Sequence, residues 1–306
     1  MITSLAPGST LGVLAKQEIR NYLDHKLFWF GAALTLLLAA LMLAGIGLDG
    51  GSSGSYMIVP GALLGVLGLV VMNGLTHRSD RAAAAAGAVA VPERTRTLAL
   101  AAAVVVPASV ALVAWVAAVI TWYVHPPTDD VMPPGISNAF VHAMQFGDGV
   151  MSAVGGPLLG LLLARYLPKR GVAVIASVLL VIVTILLQGG LIGLQPYRVF
   201  WVWTYFLSQV ALHDGEFTGA MTAGAGPDYE WHMGTYPGNP FIWLVYLIVL
   251  CVLGVVIAVY HDPESDRVQL RRVALGLVAA AVVLGVLAMT VGYTDQVVNP
   301  AICGFC

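Results

Sequence analysis

Charge is what this chain has least of. Of its 306 residues 59% are apolar, and the 14 Lys and Arg together with 16 Asp and Glu make up only 10%. Polar side chains in that proportion cannot coat a globule of this size, so lipid is the expected solvent. A net charge of −2, with no basic tract interleaved with aromatics, leaves nothing to grip a phosphate backbone; nucleic acid is excluded as a partner. No GxxxxGK[ST] occurs, so the chain cannot cradle ATP through a P-loop, and any nucleotide is held elsewhere. HExxH and comparable ligand spacings are missing too, and Asp262-Pro-Glu-Ser-Asp266 lacks the glycine and closing Glu of a calcium loop. Asp262 with Pro263 reads instead as a helix cap and first turn. No catalytic residue, metal ligand or cofactor site is assigned. Ionisable residues are almost absent from the apolar stretches: Asp148 stands at the outer end of the fourth and Arg165 near its inner end, with Asn73 and Gln188 as the main polar interruptions elsewhere. A proton-coupled pump needs a buried acid, so this scarcity argues for a conduit energised by another subunit, or for a structural role.

What the chain does have is seven long apolar stretches, near 27–48, 57–75, 98–123, 149–166, 171–194, 240–260 and 273–293. A helix needs roughly 20 apolar residues to cross a bilayer, and backbone amides in lipid must be satisfied within the segment. The expected fold is therefore an all-α polytopic membrane protein of about seven transmembrane helices. Every Lys and Arg except Arg198 falls in alternate gaps: Lys16, Arg20 and Lys26; Arg78, Arg81, Arg94 and Arg96; Arg165, Lys169 and Arg170; Arg267, Arg271 and Arg272. Cationic loops stay on the cytoplasmic side, which predicts an inner (plasma) membrane protein with its N-terminus cytoplasmic and its C-terminus outside. The first stretch is too long, and its polar lead too extended, for a cleaved leader, so it reads as an anchor.

Four regions complete the expected organisation. Over 1–26, Leu11, Ala15, Ile19, Tyr22 and Leu23 recur at helical spacing opposite Lys16, Gln17, Arg20, Asn21 and Asp24, predicting a cytosolic amphipathic elbow helix that leads into Phe28, Trp29 and Phe30. The transmembrane domain covers 27–293. Within it, 195–239 reads as an extracellular re-entrant segment and cap: 196–212 is aromatic and apolar, but counting it as a span would put Arg267, Arg271 and Arg272 outside. Residues 294–306 form an extracellular tail. Gly61 with Gly65 and Gly156 with Gly160 are two GxxxG pairs that permit close helix crossing, and Pro107 is placed to kink the third span.

Between the second and third spans runs His77-Arg-Ser-Asp-Arg81, five alanines, Gly87, and then Pro92-Glu-Arg-Thr-Arg. Ser79 suits an N-cap, Asp80 the positive end of a helix, alanine a helix interior and Gly87 a stop, predicting a short separate helix with Pro92 opening the third span. On the outer side, His125, His142, His213 and His232 lie among Asp129, Asp130, Asp214, Glu216, Asp228 and Glu230, read either as solvated loop residues or as an external metal site. Cys303 and Cys306 end the chain as Cys-Gly-Phe-Cys, open to a structural disulfide or to redox or metal chemistry. Cys251, inside the sixth stretch, reads as a small apolar residue.

Leu14-Ala-Lys-Gln-Glu-Ile-Arg20 running through Phe28-Trp29-Phe30, and His77-Arg-Ser-Asp-Arg81 followed by Val91-Pro-Glu-Arg-Thr-Arg-Thr-Leu-Ala99, resemble the permease subunits of ABC-2 type ABC transporters, particularly the actinobacterial kind. The aromatic segment 196–212 is similar to the re-entrant hairpin of that family. The resemblance implies a coupling helix formed by Arg78, Ser79, Asp80, Arg81, Ala84, Gly87, Pro92, Glu93 and Arg94 that docks on an ATP-binding cassette ATPase subunit. It further implies a second permease copy or paralogue, and ATP with Mg on the partner subunit. Five alanines where the family often has larger residues, the seventh span and the Cys-Gly-Phe-Cys tail depart from its usual plan. The nearly charge-free spans favour a hydrophobic or amphipathic cargo. The competing readings are a membrane-embedded redox or metal-binding protein using the outer histidines and terminal cysteines, and a non-transporting scaffold.

Overall fold

Every element among the described residues is helical. The computed structural model describes residues 7–46, 56–87, 91–126, 137–169, 171–189 and 239–291. Their helices are α1 (Pro7–Leu23), α2 (Lys26–Leu43), α3 (Ile58–Ala86), α4 (Glu93–Val124), α5 (Asn138–Tyr166), α6 (Val172–Gly189), α7 (Pro240–Tyr260) and α8 (Arg267–Thr290), with no strand among the described residues. Six of these, α2, α3, α4, α5, α7 and α8, are long and apolar enough to cross a membrane, so the chain is a membrane protein. The expected fifth span, 171–194, appears as α6 and falls outside those six. The re-entrant segment and cap (195–239, except Asn239), and the whole of the tail 294–306 with Cys303 and Cys306, lie outside the described residues.

The amphipathic lead forms α1, with Leu11, Ala15 and Ile19 half-buried, but two residues of the expected face pattern are reversed: Asn21 is buried, where its side chain accepts from Arg78, and Leu23 is exposed. Tyr22 is fully buried, and its ring meets Phe28 of α2 edge to face with centroids 5.4 Å apart. His25 ends the turn between them, its Nδ1 accepting the Leu27 N–H at 3.3 Å and so satisfying one of the orphan donors at the start of α2.

The core is built on the crossing of α3 and α5, where Gly65 of one GxxxG pair meets Gly156 of the other. A Cβ on Gly156 would overlap the carbonyl of Gly65 and one on Gly160 that of Leu69, so only hydrogen lets the two backbones approach this closely. The contact is sealed by Asn73, whose Nδ2 donates to the Gly160 carbonyl at 3.2 Å. Around it pack Leu64, Met72, Leu100, Val106, Leu158 and Leu161. By contrast α8 is largely exposed apolar surface, as a helix on the lipid-facing rim would be.

Proline shapes α4. Ala103 and Val104 form a turn within it, four and three residues before Pro107, whose missing N–H and ring disrupt the helix at that point. In α3 and α5 the irregularity is a π-helical turn, Gly61–Val66 and Gly147–Met151 respectively, and the two turns pack against one another.

Three expectations about helix limits are corrected. The second span does not stop before a separate short helix: α3 runs unbroken to Ala86, because no proline or glycine lies between Gly74 and Gly87 and the alanines propagate the helix. Ser79 is thus an interior residue and caps nothing, whereas Gly87 does end the helix, at φ +58°. The fourth span begins not at 149 but at Asn138, because the Ser137 hydroxyl caps it by accepting the Phe140 N–H at 3.3 Å. Asp262 does not begin α8. Asp266 does, accepting from the Gln269 N–H at 3.0 Å, while Asp262 folds back on the Glu264 N–H at 3.0 Å in an Asx turn.

Candidate functional site

The ends of the helices that carry the basic residues converge. Arg165, at the close of α5, is buried with only 2% of its side chain exposed. Its Nη1 donates to Asp80 Oδ1 of α3 at 2.6 Å, its Nη2 to Thr97 Oγ1 of α4 at 3.1 Å, and its Nε lies 3.7 Å from Glu93 Oε1. Asp80 Oδ1 also accepts from Arg96 Nη1 at 2.8 Å, so one carboxylate bridges guanidinium groups from α4 and α5. An arginine sealed from water is tolerated only when its charge is matched, and here carboxylates from two different helices match it.

A second group extends this network to the turn between α7 and α8. Glu93 Oε1 lies 2.6 Å from His261 Nδ1. Pro92, at the N-cap of α4, has no side-chain oxygen to offer the first-turn amides. Asp262 supplies it from the far turn, its Oδ2 accepting the Arg94 N–H at 2.8 Å. On the other flank Arg78 Nη2 donates to Asn21 Oδ1 of α1 at 2.6 Å. Five segments distant in sequence are thus tied at one end of the bundle.

Beyond Asp80 the last turns of α3 leave this network. Arg81, Ala84 and Gly87 are exposed, and a Cβ at Gly87 would meet no atom within 4 Å. The nine residues singled out in the sequence therefore divide. Arg78, Asp80, Glu93 and the Arg94 backbone enter the network; Ser79 is half-buried on α3; Arg81, Ala84, Gly87 and Pro92 face outward. Asp80 proves to be an ion-pair partner rather than a helix-dipole residue, since its helix begins far upstream. The residues that sequence reasoning missed as members of this cluster are Asn21, Arg96, Thr97, Arg165, His261 and Asp262. A basic residue at the end of an apolar stretch reads as a loop flank, and nothing local distinguishes one that turns inward.

At the opposite end, His142 is not a loop residue. It lies in α5, with Nδ1 3.1 Å from Gln145 Oε1 and Nε2 3.3 Å from the Tyr123 hydroxyl. Asp148, expected at the end of its span, is well inside α5 and 1% exposed. Among the described residues no three His, Cys, Asp or Glu side chains converge in a way that could hold a metal ion. His213, His232 and the terminal cysteines are outside those residues. Compared with known family models, characterised proteins and solved structures, the chain matches none.

Proposed function

We propose that this chain is the membrane-spanning permease subunit of an ATP-driven exporter of the ABC-2 type, moving a hydrophobic or amphipathic substrate with energy from a separate ATP-binding subunit. The observation that carries the reading is the continuity of α3: a helix that crosses the bundle, passes through the charged network at Asp80 and emerges as an exposed, alanine-lined rod from Arg81 to Ala86. A partner bearing on that rod moves α3 as one body, since an unbroken helix cannot absorb the displacement in a loop. Asp80 would pass the motion to Arg96 of α4 and Arg165 of α5, and Glu93 with the Arg94 N–H to the α7–α8 turn.

Small side chains allow a partner close approach to the backbone, and an exposed surface of alanines gains little by burying itself within this chain. The basic residues gathered at this end favour the cytoplasmic side, with the N-terminus inside. Counting α6 as a span gives seven and an outward C-terminus, and α1 is then the elbow helix lying at the cytoplasmic face. The working unit is two permease chains with two ATPases that carry the ATP and Mg. The membrane is the plasma (inner) membrane.

A photo-reactive amino acid at Ala84, in membranes of cells expressing the full chain, tests this. The expected product is a cross-link to a P-loop ATPase, lost when Gly87→Pro and Ala85→Glu are added to the probe-bearing chain, and accompanied by ATP hydrolysis that responds to a hydrophobic cargo in proteoliposomes. Labelling of Ala84→Cys from the external face only would refute both topology and function. Binding of an ATPase whose hydrolysis no cargo alters would favour the scaffold reading.

A further inference from the structure

The π-helical turn of α5 carries a carboxyl group that the exporter reading does not use. Asp148 is 1% exposed, and its Oδ1 has no hydrogen-bond partner among the described residues. The flanking glycines fix its place: a Cβ on Gly147 would overlap the Trp243 ring of α7, and one on Gly149 the Met57 side chain before α3. The segments packed against this turn, 58–66, 105–124 and 240–260, contain no Lys, Arg, Asp or Glu. Their titratable groups are Tyr123, Tyr246, Cys251 and Tyr260, joined by Tyr56 just before the first segment; on α5 itself they are His142, Arg165 and Tyr166. Arg165 is committed to Asp80 at the other end of the helix. A bare carboxylate in such surroundings costs several kcal/mol, whereas a neutral acid does not.

The same helix carries a polar path toward that acid. His142, Gln145, Asp148 and Ser152 recur at intervals of three and four along α5, within reach of one face of the helix, and the last three are buried. The path starts at the exposed Tyr123, whose hydroxyl meets His142 Nε2 at 3.3 Å, and passes through His142 Nδ1 to Gln145 Oε1 at 3.1 Å. Helical neighbours three apart have Cβ atoms about 5–6 Å apart, a gap that one water spans. Single π-turns concentrate at functional sites, and this one lies between Gln145 and Ser152 and faces the π-turn of α3.

We propose that Asp148 is an intramembrane proton-binding site, loaded from the end of the bundle opposite the charged network through Tyr123, His142 and Gln145. The carboxylate takes up one proton to become the neutral acid and releases it by the same route. The site holds whether or not an ATPase drives this chain, so its test stands apart from that of the exporter reading.

Infrared difference spectra of the full chain in nanodiscs, stepped from acid to alkaline pH, provide the test. The expected result is a carbonyl stretch of a protonated carboxyl that titrates reversibly, is lost in Asp148→Asn, and exchanges with deuterium about tenfold more slowly in His142→Phe, as one lost relay hydrogen bond predicts. A band present at every pH would make Asp148 a fixed structural acid and overturn the proposal, as would exchange indifferent to His142. A band abolished by sodium or potassium at constant pH would assign a metal cation instead of the proton. Should Asp148→Asn not fold, mapping of carbodiimide adducts by mass spectrometry on the unaltered chain decides the matter. An adduct at Asp148 at acid pH that is lost at alkaline pH supports the site, and an adduct that is absent or indifferent to pH overturns it.

Discussion

Replacing Gly156 by alanine adds one methyl group where the α3–α5 crossing has no room for it. A Cβ there would lie 2.7 Å from the Gly65 Cα, against an ordinary carbon–carbon contact of about 3.5–4 Å. The obstacle is backbone, so no rotamer change relieves it, and the helices must part by about 1 Å. Overpacking of this kind costs about 1–3 kcal/mol, and a rigid obstacle belongs at the upper end. The parting also stretches the 3.2 Å bond from Asn73 to the Gly160 carbonyl, which contributes about 1 kcal/mol. Better helix propensity returns about 1 kcal/mol, leaving a net loss of about 2–3 kcal/mol. Gly74→Ala is the control: it makes the same chemical change in α3, but a Cβ there meets nothing within 4 Å, so it should stabilise by about 1 kcal/mol. Titrating purified protein with a denaturing detergent in mixed micelles, followed by tryptophan fluorescence, measures both. Equal stability of the two variants would mean that α3 and α5 do not cross at Gly65 and Gly156.

Asp80→Ala leaves Arg165, which is 2% exposed, with the neutral Thr97 hydroxyl and, as its remaining carboxylate, Glu93 at 3.7 Å, and should cost about 3–4 kcal/mol. Arg165→Met leaves Asp80 36% exposed and still bonded to Arg96, and should cost about 1–2 kcal/mol; strict additivity in the double variant would show that the pair does not couple. Asp262→Ala removes the cap from the Arg94 N–H and should cost about 1 kcal/mol with faster amide exchange at the start of α4, while unchanged exchange would deny the cap. Burial holds the His25 imidazole below its ordinary value. Its folded form thus binds protons less readily than its unfolded form, so the cap on the Leu27 N–H is intact above about pH 6.5 and is lost as pH falls through the lower folded value. Exchange at Leu27, corrected for intrinsic rate, should rise in that window and stay flat in His25→Asn; protection unchanged as His25 titrates would contradict it.

Much of the architecture was legible because lipid imposes long-range order on local composition. Apolar runs marked the helices, and the spacing of Leu11, Ala15, Ile19 and Tyr22 marked α1 and its protected face. The two GxxxG pairs identified the surfaces that cross. Gly87 announced the end of α3 correctly, since a positive φ favours glycine whatever surrounds it. Misreadings fell where a side chain had two uses. Ser79 and Asp80 are good capping residues, yet the helix had started long before them, and Asp80 is held by Arg96 and Arg165. Asp262 before Pro263 looked like the start of a helix, but its carboxylate serves the Glu264 amide in its own turn and the Arg94 amide of another helix.

By itself, then, the sequence determined that this chain dissolves in lipid as a set of helices, which of their ends share the basic residues, and where glycine allows two of them to touch. Hydropathy, charge bias and backbone freedom are carried by neighbouring residues and need no knowledge of the fold. Only the tertiary structure decided that Arg165 turns inward to join Asp80, Thr97 and Glu93, that Asp262 caps a helix 168 residues away, and that Asp148 lies sealed inside α5. Whether a charge is solvated, paired or buried depends on which helix packs against it, and that follows from the sum of all the packing contacts.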